Sequence, residues 1–150
     1  MTFLDPNVVQ DVVSGGEGNP SPMLSVTGLS LMDLSPHVTK ANSHLPSDSQ
    51  LHISLHNGPH AFVVCGPARA LYGLVTNLRK IRAPSRADQS KIPFSQRKPV
   101  FSIQFLVMGM PCHSKYLHGI TESVMNDLDG IELWSAADMG ISVYSTEDGL

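Results

Sequence analysis

The sequence is short of charge, cysteine and aromatic residues, and each shortage removes a class of function. Only 15% of its 150 residues are Asp, Glu, Lys or Arg, and the formal net charge is −3. A chain-wide electrostatic grip on nucleic acid needs a basic excess, so that class is excluded. Aromatics are 6%, and the predicted strands lack the paired stacking residues by which RNA-recognition sheets hold bases. Two cysteines, Cys65 and Cys112, build no disulfide framework. No apolar run approaches the roughly 20 residues of a membrane span. The opening residues, Met1 to Pro6, carry neither the basic nor the apolar block of an export signal. The sequence therefore predicts a cytoplasmic chain with reduced thiols, no membrane partner and no nucleic-acid partner. What is present is 41% hydrophobic residues, enough to bury one core.

The apolar spacing predicts the elements in order. Asp5 is an N-cap with Pro6 at the first helical position, and Val8, Val9, Val12 and Val13 form a stripe. The run Ser14-Gly15-Gly16-Glu17-Gly18-Asn19-Pro20-Ser21-Pro22 ends that helix and is the best boundary in the chain. Met23 to Thr27 predicts a strand stopped by Gly28. A helix follows, and because Pro36 interrupts its pattern it is expected to start with Ser35 as N-cap. Leu51, Ile53 and Leu55 alternate with His52, Ser54 and His56, predicting a half-buried strand paired as a hairpin with Ala61 to Cys65. Leu71, Leu74, Val75, Leu78 and Ile81 follow helical spacing, with Arg79, Lys80 and Arg82 at its end. After a polar loop, Phe101, Ile103, Phe105 and Val107 alternate over a strand from Val100 to Val107. A helix with Leu117, Ile120, Val124 and Leu128 on one face and a strand near Ile141 to Tyr144 complete the chain. The order from Met23 to Val107 predicts an α+β fold of the ferredoxin-like, split βαβ kind. It divides the chain into residues 1–22, 23–107 and 108–150.

Three groups of residues offer chemistry. His52, His56 and His60 are spaced by four, but on a strand the first two lie about 13 Å apart along one face. His60 is past the turn and no acidic or Cys ligand stands beside them, so no metal site is predicted. Arg79, Lys80, Arg82, Arg86, Lys91, Arg97 and Lys98 are seven of the ten cationic residues. They suit phosphates or an acidic partner, or equally a solvated helix end and loop. Pro111-Cys112-His113-Ser114 sets a histidine in a turn between a strand and a helix, where an imidazole can serve a Ser nucleophile as general base. A turn histidine also occurs with no role. No G-x-S-x-G elbow occurs in the 150 residues, so a Ser–His enzyme from this chain alone is not expected.

Longer stretches carry a resemblance. Pro20-Ser21-Pro22-Met23-Leu24, Asn42-Ser43-His44-Leu45-Pro46, Ile53-Ser54-Leu55-His56-Asn57-Gly58-Pro59, Phe62-Val63-Val64-Cys65-Gly66-Pro67, Leu71-Tyr72-Gly73-Leu74, Leu78-Arg79-Lys80 and the run from Asp88 to Lys98 stand in one order. Together they resemble the acetyltransferase, or starter-unit acyltransferase, domain of the fungal fatty acid synthase beta subunit, from about Leu4 to the end. The resemblance implies a ferredoxin-like subdomain inserted into a larger α/β-hydrolase-like acyltransferase subdomain, of which residues 1–22 and 108–150 are incomplete pieces. It implies acyl transfer from acetyl-CoA to the phosphopantetheine thiol of acyl carrier protein, within a complex of beta and alpha subunits. The catalytic base then maps onto His113, oriented by backbone near Ser145 or Thr146. Arg86, Lys91 and Arg97 become candidate contacts for CoA or carrier protein. The nucleophilic Ser would lie upstream of Met1, leaving the chain inactive alone, or at most a carrier-binding module. Cys112, where the family's turn has Phe, alters the acyl pocket wall and admits another starter, as in a secondary-metabolism synthase. The faces carrying Val8, Val12, Leu117, Ile120 and Val124 are expected to lack their packing partners.

Overall fold

The computed structural model describes residues 4–84, 88–131 and 135–144. It groups them into two compact units, Met1–His118 and Gly119–Leu150. In the first, helix α1 spans Pro6–Ser14, with Asp5 Oδ1 accepting a hydrogen bond from the Asn7 amide at 2.8 Å. Strand β1 is Met23–Thr27 and helix α2 is Leu31–Asn42. The hairpin strands β2 and β3 are His52–Gly58 and Ala61–Cys65. Helix α3 is Ala68–Ile81 and strand β4 is Ser102–Phe105. The strands form one antiparallel sheet in the order β2-β3-β1-β4. That order, with a helix after β1 and another after β3, is the split βαβ arrangement the periodicity predicts.

One face of the sheet is covered by helices. Leu24 and Val26 from β1, Phe62 and Val64 from β3, and Ile103 and Phe105 from β4 meet Leu34 and Val38 of α2 and Leu71, Leu74, Val75 and Leu78 of α3. The α3 stripe follows the 3.6-residue period, and Leu71, Leu74, Val75 and Leu78 are fully buried. Val12 of α1 joins this core, so its face does have its partner; Val8 and Leu117 are half-buried. Gly28 closes β1 at φ +102°, and its amide donates to the His60 carbonyl at 2.8 Å. A Cβ there would stand 3.0 Å from the Phe101 Cα and the Val100 carbonyl oxygen, so both backbone shape and space require glycine.

Several elements depart from the sequence pattern, each for a physical reason. Helix α2 does not start at Ser35: it starts at Leu31, capped by Ser30, and holds Pro36 inside. Ser30 Oγ accepts from the Asp33 amide at 3.2 Å and donates to Asp33 Oδ2 at 2.6 Å, a reciprocal cap that fixes the first turn. Pro36 has no N–H for the Met32 carbonyl, but both residues are exposed, so water can satisfy that carbonyl. Strand β2 does not keep one alternation. Ile53 pairs with Val64 and Leu55 with Val63, so Ser54 is an extra residue in a bulge that reverses the faces. Ile53 packs in the helix-covered core and Leu55 on the opposite side. His52 and His56, expected on one face, are thereby divided between the two. Strand β4 ends at Phe105, and Val107 is fully exposed. Leu117 closes a 3₁₀ turn, Lys115–Leu117, instead of joining the following helix.

In the second unit, Gly119 at φ +86° precedes helix α4, Ile120–Asp127. Ile120 and Val124 are about half exposed, at 50% and 47%, and no described residue of this unit is buried. Residues 141–144, expected as a strand, form none. No helix among the described residues is long and apolar enough to cross a membrane.

Candidate active site

The second face of the sheet is built differently. Met23, Val63 and Cys65 are buried there against Leu55, Leu106 and Cys112, under the irregular segment that follows β4. The Leu106 amide donates to the Met23 carbonyl at 3.0 Å, carrying that segment across the sheet edge. Ser114 Oγ then donates to the Pro111 carbonyl at 2.6 Å, closing the Pro111-Cys112-His113-Ser114 turn. Cys65 Sγ donates to the Cys112 carbonyl at 3.4 Å from below. On the far side, Tyr116 Oη donates to the Gln50 carbonyl at 2.7 Å and Lys115 Nζ to the Ser47 carbonyl at 3.1 Å. The turn is thus fastened before and after His113.

His113 is the one non-glycine residue with positive φ, 56°, among the described residues. A left-handed backbone at such a residue is held by its surroundings, and such positions gather at functional sites. Its side chain is exposed and free to meet a reacting group. The sequence-predicted base therefore sits on a fixed turn with an accessible imidazole. Ser145, Thr146 and Arg86 lie outside the described residues.

His52 stands on the same face. Its ring meets Tyr116 edge-on, with centroids 6.2 Å apart, and its Nε2 is buried without a hydrogen-bond partner. Burial first, and the Lys115 charge second, hold this imidazole below its ordinary pKa. His56 packs edge-on against Phe62 at 5.3 Å. Among the described residues, no three His, Cys, Asp or Glu side chains are grouped to hold a metal ion.

The cations of the 79–98 region divide by role. Arg79 Nε and Nη2 donate to the two oxygens of Glu17 at 3.0 and 2.7 Å, and Nη1 meets Asp11 Oδ2 at 2.7 Å. Arg82 Nη2 reaches Glu17 Oε1 at 3.4 Å. The bond to Glu17 holds the Arg79 guanidinium above its ordinary pKa. Glu17 is fully buried, and its carbonyl accepts from the Phe105 amide at 2.7 Å. It anchors the Gly-rich segment to α3 and β4. Sequence reasoning missed Glu17; the only trace of it was a lone carboxylate among four residues of glycine and asparagine. Arg97 donates from Nε to the Ile92 carbonyl at 2.9 Å and from Nη2 to the Ser90 carbonyl at 3.2 Å. It lines a cavity of about 750 Å³ with Met32, His37, Phe94, Lys98 and Val100. Lys91 is exposed.

Comparison with known proteins places the chain in a family. The family described as "Starter unit:ACP transacylase in aflatoxin biosynthesis" matches residues 6–99, from α1 through the loop after α3. The chain belongs to that family. It is similar to the "Fatty acid synthase subunit beta" of Schizosaccharomyces pombe, 44% identical over 147 residues, covering 98% of this chain and 7% of that protein. The Saccharomyces cerevisiae protein of the same name is 45% identical over 149 residues, 99% of this chain and 7% of the relative. "Fatty acid synthase beta subunit pigK" of Monascus ruber is 40% identical over 148 residues, again 99% and 7%. The resemblance to fungal fatty acid synthase beta subunits is thereby shown. The chain spans about 7% of the length of these relatives. The starter-transacylase match ends at residue 99, so the His113 turn falls beyond it, within the span the beta-subunit relatives share.

Proposed function

We propose that this chain supplies the general base of a starter-unit acyltransferase in a fungal fatty acid synthase, with His113 as that base. The observation that carries the reading is His113 itself: an exposed imidazole on a turn held in left-handed shape, in a chain of the starter-transacylase family. His113 takes the proton of a Ser hydroxyl as its oxygen attacks the thioester of acetyl-CoA. The CoA thiolate leaves with that proton and an acyl-Ser remains. The phosphopantetheine thiol of acyl carrier protein then gives its proton to His113, attacks the acyl-Ser, and the Ser oxygen recovers the proton. Since no G-x-S-x-G occurs in the sequence, another part of the synthase brings the nucleophile. Residues 1–22 and 108–150 belong, in this reading, to the larger acyltransferase subdomain, and the half-exposed Ile120 and Val124 suit burial there. Arg86, Lys91 and Arg97 meet the phosphates of CoA or the acidic carrier protein. The beta and alpha subunits of the synthase are the chain's partners, and the work is cytoplasmic.

The test grafts these 150 residues into a full-length beta subunit and follows labelled acetyl-CoA. The isolated chain is expected to take no covalent label. The graft is expected to form acetyl-Ser and pass the label to carrier protein, with transfer falling by about 100-fold or more in His113→Ala. Unchanged transfer in that variant would overturn the assignment.

A further inference from the structure

The two cysteines of the sequence are 47 residues apart, yet the fold brings them to one place on the second sheet face. Cys65, at the end of β3, is fully buried and Cys112 is half-buried, and they pack in the same small cluster. Cys65 Sγ lies 3.4 Å from the Cys112 carbonyl oxygen and 2.8 Å from Ser54 Oγ of the β2 bulge. The Cys65 sulfur thus touches the backbone of the other cysteine, and the two side chains share one cluster.

We propose that Cys65 and Cys112 are an oxidisable dithiol site, closed by a peroxide into an intramolecular disulfide that ties the His113 turn to the sheet. The half-buried thiol reacts first, since burial pushes the Cys65 thiol above its ordinary pKa and withholds its thiolate. The Cys112 thiolate attacks one peroxide oxygen; the S–O bond forms, the O–O bond breaks, and the departing hydroxide takes a proton to leave as water. Sulfur is oxidised to the sulfenic acid and the peroxide is reduced. Cys65 sulfur then attacks Cys112 sulfur, the S–S bond forms, and the expelled hydroxide takes the Cys65 proton as a second water. Ser54 Oγ, in contact with Cys65 Sγ, is placed to relay that proton. The bond joins the residue beside His113 to the end of the inner strand β3. The site stands on the two thiols alone, whatever role His113 has.

The experiment treats the folded 150-residue chain with stoichiometric hydrogen peroxide and maps its thiols by mass spectrometry. The expected result is a non-reduced peptide pair joining Cys65 to Cys112, both thiols lost to alkylation together, and a chain that remains monomeric without reductant. In Cys112→Ser, Cys65 is expected to stay alkylatable at the same peroxide dose. In Cys65→Ala, Cys112 is expected to stop at a sulfenic acid that dimedone traps. Circular dichroism checks each fold, and if Cys65→Ala does not fold the wild-type and Cys112→Ser arms still decide. Oxidised Cys112 beside a free Cys65 in the wild type, or disulfide-linked dimers alone, would overturn the proposal.

Discussion

The two faces of the sheet are made from the same strands and do opposite things. On one, Leu24, Val26, Phe62 and Val64 meet two helices and fill a continuous apolar core. On the other, Met23, Val63 and Cys65 are covered by an irregular segment held through carbonyl groups and single side chains. Apolar packing is non-directional and grows with buried area, which makes the first face the source of stability. Hydrogen bonds are directional and individually modest, which makes the second face suited to holding one turn in one shape. The difference teaches that strand parity separates a face held by buried area from a face held by directional bonds to an irregular segment.

The widest gap between the faces should appear on truncating the helix-covered core. Leu74→Ala is expected to cost about 2–5 kcal/mol in chemical denaturation, by lost transfer energy and the cavity left behind. Next is Glu17→Ala, which leaves Arg79 with Asp11 as its one acidic partner. Because Arg79 is 24% exposed and partly screened, the expected loss is about 2–3 kcal/mol, below that of a fully buried broken pair. On the second face, Tyr116→Phe removes the hydrogen bond to Gln50 and is expected to cost about 1 kcal/mol by the same denaturation. A loss there as large as Leu74→Ala would break the comparison.

The smallest effect is one of pH. Burial disfavours the charged form of His52 in the folded chain, so the unfolded chain binds more protons once pH falls below the ordinary value of 6.5. His52 therefore adds stability that is complete above that pH and is lost as pH falls towards the depressed folded value. His52→Phe is expected to flatten the fall in thermal midpoint between about pH 7 and 5 relative to wild type. An unchanged slope would remove His52 from the account.

Much of the first face was legible in the sequence, because helices and strands there bury one continuous stripe each. Asp5 with Pro6, the ends of β1 and β3, and the Leu71-Leu74-Val75-Leu78 stripe are all local signals of capping and period. The second face was legible only in part. His113 could be singled out, but its left-handed backbone and its ties to Cys65 and the Gln50 segment come from residues far apart in sequence. The Ser54 bulge defeats a period-two reading, because one extra residue moves every later side chain across the sheet. Pro36 misleads for the opposite reason: a strong cap at Ser30 and a buried Leu34–Val38 face outweigh one missing backbone donor. Glu17 is invisible locally, since its partners Arg79 and Arg82 lie more than sixty residues away.

The most direct test measures folding and chemistry side by side on His113→Ala. Thermal unfolding of the chain and acyl transfer by the grafted beta subunit are recorded for the same variant. The separation of the faces predicts a melting temperature close to wild type together with loss of transfer. A melting temperature lowered as far as by Leu74→Ala, or transfer at the wild-type rate, would contradict it.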